Sequence, residues 1–273
     1  MKRIVYTIIF GCIFGLICGY VYVTLYQANG MALPYISPLQ VERPHIVGFF
    51  PYWLISKMDK QYERFVTTYT YFGLAISGDG SLLTHTNPQE LEPGWNALQT
   101  GMVSSVLNDT KKHNQTRSLL VISGDDVVIT QLLENPAQSA KTMMADISPI
   151  MKEFGFTDLN LDIETFMEAS PSSQAAFTEF VRVVKQELDR QTLGTLSIDL
   201  IPISLVRPKL YDAKALGEIA DSVILMTYDY HYSGSYTSGA VAPIGGAGET
   251  MEFDVETAVK EALSVIPRKK ILS

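Results

Sequence analysis

The stretch FTDLNLDIETF, residues 156–166, limits what this chain can fold into more than any other. Leu159, Leu161 and Ile163 alternate with Asn160, Asp162 and Glu164, which is the period of an extended strand. One face can be buried beneath helices and the other must line a polar space. A strand this apolar on one side belongs inside a sheet. Asp162 and Glu164 stand two residues apart on the polar side, at the strand's end. Carboxylates so placed repel each other, and the repulsion is relieved when one keeps a proton near neutral pH. A protonated carboxyl beside a charged one supplies a general acid and a charge stabiliser.

From residue 45 onward, short apolar runs alternate with amphipathic stretches. HIVGFFPYWL (45–54), TTYTYFGLAIS (67–77), RSLLVISG (117–124), the 157–165 stretch, GTLSIDLIPIS (194–204) and DSVILMTYDYH (221–231) read as strands, and KKILS (269–273) as the start of a seventh. Helices are expected over 95–112, over 136–154, over 171–191 with the cap near Ser172 or Ser173, over 212–220 and over 255–266. Met143, Ile147, Ile150 and Met151 recur at helical spacing, as do Phe177, Phe180, Val181, Val184 and Leu188. Repeated strand-then-helix order calls for a parallel sheet, and seven repeats in one domain favour an α/β fold of the (β/α)8 TIM-barrel type. The site then lies at the C-terminal ends of the strands, where Asp162, Glu164, Tyr228 and Asp229 fall. The sequence stops as the seventh strand begins, so the barrel reads as truncated, with two unpaired edges.

Residues 5–26 carry no charge. As a helix rising about 1.5 Å per residue they would cross a hydrocarbon layer about 30 Å thick. Lys2 and Arg3 precede the run and no basic residue follows until Arg43, which keeps the amino end in the cytoplasm and the remainder outside it. The run is long for a secretory leader and no Ala-x-Ala site closes it. Residues 1–27 therefore read as a membrane anchor in preference to a cleaved signal segment. Residues 28–44, with three prolines, read as a linker, and 45–273 as the folded domain.

A net charge of −8 offers no basic surface for nucleic acid. The two cysteines, Cys12 and Cys18, both lie in the amino-terminal apolar run, and His45, His85, His113 and His231 form no His-x-x-x-His pair. No disulfide framework, metal or cofactor is expected. GGAGET (245–250) lacks the lysine of a phosphate loop, and SGDGS (77–81) has too few spaced carboxylates for a calcium loop. Asn108 and Asn114 head Asn-x-Thr triplets, which matter only in a glycosylating host.

TDLNLDIE (157–164) resembles the Asp-x-x-Asp-x-Asp-x-Glu signature on the fourth strand of glycoside hydrolase family 18, the chitinase-like barrels. MTYD (226–229) resembles that family's Met-x-Tyr-Asp motif on the sixth strand, and GFFPYW and TYFGLAISGDGS are similar to its first and second strands. The likeness runs from His45 to Ser273. It implies a retaining hydrolase whose substrate supplies the nucleophile, the 2-acetamido oxygen of an N-acetylated sugar. Glu164 would protonate the leaving glycosidic oxygen, Asp162 would orient the acetamido N–H and steady the cationic intermediate, and Tyr228 would hydrogen-bond the acetamido oxygen. Asn160, Met226 and Asp229 would complete the sugar pocket, with Tyr52 and Trp53 as stacking surfaces.

Two positions depart from the signature, Thr157 and Asn160, where its first and second Asp are usual. An Asp at 160 would share a proton with the next carboxylate. Asn160 is expected to donate a hydrogen bond to Asp162 instead, and to shift the pH profile. Asparagine here also resembles the bacterial branch acting on cell-wall and spore-cortex glycans, which points to β-1,4-linked N-acetylglucosamine in peptidoglycan or chitin. The third strand's SGDD matches the family's Ser-x-Gly-Gly only loosely, and the tryptophan its last strand carries has no counterpart beyond Trp53 and Trp95. The alternative is a silent, lectin-like barrel using the same cleft. Silent members usually lose the acid, whereas Glu164, Asp162 and Tyr228 are all present.

Overall fold

In a computed structural model, residues 11–22, 24, 44–57, 65–249 and 252–273 are described. In chain order the strands are β1 (Val47–Pro51), β2 (Thr68–Ala75), β3 (His85–Asn87), β4 (Glu90–Leu91), β5 (Thr116–Ser123), β6 (Asp158–Ile163), β7 (Thr195–Leu200), β8 (Ser222–Leu225) and β9 (Ile271–Leu272). The helices are α1 (Pro93–Gln99), α2 (Ser104–Lys112), α3 (Asp126–Glu134), α4 (Pro136–Phe154), α5 (Pro171–Gln191), α6 (Ala213–Ile219) and α7 (Val255–Val265). Strands β3 and β4 form a small antiparallel pair. The other seven make one sheet in the order β1-β2-β5-β6-β7-β8-β9, parallel at every step.

The two faces of this sheet differ as the alternation requires. Leu119, Val121, Leu159, Leu161, Leu196 and Leu200 are all fully buried and share one apolar cluster with Met143, Ile147 and Met151 of α4 and Phe177, Phe180, Val184 and Leu188 of α5. The alternate positions are polar yet also buried: Thr68, Thr70, Ser118, Asp158, Asn160, Asp162, Ser197 and Asp199. Asp158 ties three strands together, its carboxylate accepting from Ser118 Oγ at 2.6 Å, Ser197 Oγ at 2.8 Å and the Thr195 hydroxyl. At that end of the sheet a hollow of about 250 Å³ is lined by residues of both edge strands, Val47 and Leu272. The sheet therefore curls until its edges face one space, an α/β architecture that matches part of a barrel.

Several boundaries differ from the sequence reading. The helix expected over 95–112 is two helices, α1 and α2, separated around Gly101, whose φ of 74° no continuing helix accepts. Helix α3 was not expected; its start is fixed by Asp125, whose side chain accepts from the Val127 and Val128 N–H groups. Helix α5 is capped two or three residues earlier than expected, by Ser170, whose Oγ accepts from Ser173 N–H at 3.1 Å, because Pro171 occupies its first position. Strand β1 ends at Pro51 and runs into a 3₁₀ turn, Tyr52–Lys57. Strand β8 ends at Leu225, so MTYD lies beyond it.

The contacts divide the chain into two units, Met1–Pro44 and His45–Ser273. In the first, residues 11–22 are helical and exposed. Among the described residues no helix is long and apolar enough to cross a membrane. The anchor expected over 5–26 extends past the described residues, and the expected linker, apart from Pro44, lies outside them.

The turn from α5 into β7 depends on Gly194. Its φ is 136°, and a Cβ there would stand 1.9 Å from the Thr157 carbonyl oxygen, which also accepts from Thr195 N–H at 3.1 Å. Gly194→Ala is expected to destabilise the fold by about 2 kcal/mol or more, read as a lower urea midpoint.

Candidate active site

Strand β6 delivers both carboxyls to the C-terminal end of the sheet. Asp162 is its penultimate residue, and Glu164 follows directly after Ile163. The backbone at this point is held from several sides. Glu164 N–H donates to the Ser123 carbonyl at 2.8 Å, and Tyr211 OH donates to the Ile163 carbonyl at 2.6 Å. Thr165 Oγ1 donates to Asp126 Oδ1 at 2.6 Å, and Lys209 Nζ donates to the Phe166 carbonyl at 2.6 Å. Glu164 is thus carried on a braced turn.

Asp162 is 3 % exposed, and its Oδ1 has no hydrogen-bond partner. Burial, then the charges of Asp199 and Glu164 and a side-chain hydrogen bond to Glu164, push its carboxyl up to about 9. Asp162 therefore keeps its proton at neutral pH. Asp199, on β7, is equally buried. Burial pushes it up to about 7, against the opposing hydrogen bond from Asn160.

Asn160 does not meet the expectation of a hydrogen bond to Asp162. Its Nδ2 donates to Asp199 Oδ1 at 2.9 Å and to Ser197 Oγ at 3.1 Å. The reason is distance. A same-face neighbour along one strand is about 6.6 Å away, whereas the next strand is about 4.8 Å away, and Ser197 lies in register with Asn160. Asn160 is also 0 % exposed, so it lies beneath the site and not on its surface.

The other predicted residues divide into two groups. Met226, Tyr228 and Asp229 line a cleft of about 500 Å³ with Glu164, together with Phe166, Ile201, Tyr230, His231 and Phe253. Met226 is buried, Tyr228 is half exposed, and Asp229 turns the chain with a φ of 56°, which Asp tolerates better than most residues. Burial, then the charges of Asp199, Asp162, Glu164 and Asp229, push the Tyr228 phenol up to about 12, so it remains a donor. Tyr52 and Trp53 are not among the residues lining this cleft. Tyr52 packs on the core, and Trp53 meets Tyr52 and Phe72 edge-on at 4.8 and 5.5 Å. Among the described residues no cluster of three or more His, Cys, Asp or Glu could hold a metal.

Asp199, Asp158 and Tyr211 were not singled out from the sequence. The signal for Asp199 was present: TLSIDL alternates exactly as DLNLDI does only if Ser197 and Asp199 share the polar face.

A parallel, barrel-type α/β sheet with carboxyls at the mouth and a tyrosine supplied beyond β8 defines the class. The chain belongs to Glycosyl hydrolases family 18, the match spanning residues 45–272. It is 27% identical over 213 residues to the cortical fragment-lytic enzyme of Bacillus anthracis, covering 76% of this chain and 44% of that protein. Among solved structures it resembles the spore cortex-lytic enzyme SleL of Bacillus megaterium, with a TM-score of 0.65, 23% identity and coverage of 92% of this chain and 57% of that one. It also resembles catalytic domain 2 of the Ostrinia furnacalis Group II chitinase, with a TM-score of 0.70, 20% identity and coverage of 85% and 63%. The chain spans about half the length of the curated relatives it matches.

A carboxyl protonated in the fold but ionised in the unfolded chain makes stability fall as pH rises. The window runs from the ordinary value, 3.8, to about 9 for Asp162, and each retained proton contributes about 1.4 kcal/mol per pH unit. Asp162→Asn removes the ionisation. It is expected to raise the melting temperature more at pH 8 than at pH 5 in thermal scans.

Proposed function

We propose that the domain hydrolyses β-1,4-linked N-acetylglucosamine-containing glycans, in peptidoglycan or chitin, with retention at the anomeric carbon. The observation that carries this reading is geometric: Asp162 is buried two residues before Glu164 at the end of β6, and Glu164 lines a cleft that also receives Tyr228.

In the first step the acetamido oxygen of the bound sugar attacks C1 as the C1–O bond to the leaving group breaks. Glu164 gives its proton to the leaving oxygen. Asp162, its proton passed to Glu164, accepts the acetamido N–H and balances the positive charge of the oxazolinium ring. Tyr228 donates to the acetamido oxygen and holds it in line, a contribution from positioning. In the second step Glu164 takes a proton from water, whose oxygen attacks C1 and reopens the ring, so two inversions give net retention. Met226 and Asp229 shape the walls around that sugar.

The relatives named for fragment-lytic and cortex-lytic activity favour a peptidoglycan-derived substrate over chitin. The uncharged run at 5–26, preceded by Lys2 and Arg3, supports a domain tethered to the outer face of a membrane.

Glu164→Gln is expected to lower sugar release from a chromogenic N-acetylglucosamine oligomer by about 10²–10⁴-fold, with glycan affinity retained by calorimetry. Tyr228→Phe should cost about a hundredfold in kcat. If the unaltered chain and Glu164→Gln bind glycan equally and neither releases sugar, the cleft is a glycan-binding module and the hydrolase reading is lost.

A further inference from the structure

Position 160 carries no carboxyl, yet a buried carboxyl stands beside Asp162 all the same, supplied by the next strand. The β6–β7 register pairs Asn160 with Ser197 and Leu161 with Ile198, so one further step brings Asp199 level with Asp162. Both are 3 % exposed and both lie on the inner face. Asn160 Nδ2 fixes Asp199 by donating to its Oδ1 at 2.9 Å, while Asp162 Oδ1 is left without a partner. We infer that Asp199 is a positioning residue of the hydrolytic site: its charge, locked in place by Asn160, keeps the proton on Asp162. This rests on the function proposed above, and it accounts for Asn160 as an orienting donor in place of a proton-sharing acid.

The physical basis is that three carboxyls in one dry mouth cannot all ionise. The titratable groups facing Asp199 are Asp158, Asp162 and Glu164 from β6 and its end, Tyr211, and Tyr228 from beyond β8. All are acids. Above pH 7 the Asp199 charge therefore opposes loss of the Asp162 proton, which in the proposed reaction passes to Glu164. Removing that charge lets Asp162 ionise at lower pH.

Asp199→Asn keeps the size and the acceptor for Asn160 while removing the charge. Its expected effect is an alkaline limb of kcat/KM displaced towards acid by about one pH unit, with turnover above pH 7 reduced about tenfold. In the double variant Asn160→Asp/Asp199→Asn the charge returns on β6, and the limb is expected to move back. Asp199→Ser serves if the asparagine variant does not fold. The carboxyl ¹³C resonance of Asp162, followed by NMR titration, needs no turnover and should report the same downward displacement in Asp199→Asn. An unmoved Asp162 titration in a folded Asp199 variant overturns the inference, as does a folded double variant whose titration does not return. If the unaltered chain releases no sugar, the hydrolase reading fails, and the Asp162 titration still decides this one.

Discussion

Burial of carboxyl groups on the inner face of a parallel sheet is the constraint from which the rest of this molecule follows. Taking a carboxylate out of water is costly, and the cost is met either by hydrogen bonds or by a proton. Both answers occur along one face. At the floor, Asp158 receives hydroxyls from Ser118, Thr195 and Ser197, and burial raises it only to about 6. At the mouth, Asp199 has the Asn160 amide and reaches about 7, and Asp162, level with it but with one oxygen unpartnered, reaches about 9. The order follows the supply of donors. The floor acid is a structural clasp, whereas Asp162 is left short of donors.

That shortage is stored instability, of the kind that sites of chemistry commonly carry. It is tolerated because the opposite face of the same strands is closely packed: Leu159, Leu161 and Ile163 are buried to within 1 %. Tyr211 links the two aspects. Its ring packs edge-on against Phe177 at 5.6 Å while its hydroxyl holds the Ile163 carbonyl, so core packing fixes the backbone that presents Glu164.

What could be read from the sequence was what a single strand or helix determines. Alternation over 157–165 located β6 and put Asp162 and Glu164 at its end, because period two is a property of one segment. Helical spacing placed α4 within its observed limits, Pro136–Phe154. Features that depend on two segments were not legible. Asn160's choice of partner follows from the β6–β7 register, and Asp199 gains its meaning only from lying level with Asp162. Short helices were also lost: α3 follows β5 after two residues, and its cap, Asp125, sits in an acidic pair that reads equally well as a turn. The family likeness supplied roles for Glu164, Asp162 and Tyr228, but its signature says nothing of a neighbour on β7.

The relocation of a carboxyl from position 160 to 199 is not electrostatically neutral. Along β6 the same-face separation is about 6.6 Å, whereas a residue level on the next strand is about 4.8 Å away. With an effective dielectric near 20, unit charges repel by about 2.5 kcal/mol at the first separation and about 3.5 kcal/mol at the second. A charge on β7 therefore holds a proton on Asp162 more firmly than a charge two residues earlier on its own strand would. It also frees position 160 for a side chain that can donate, which a carboxylate cannot do. Asn160 uses that capacity on Asp199 itself, so the asparagine and the displaced acid act as one unit divided between two strands.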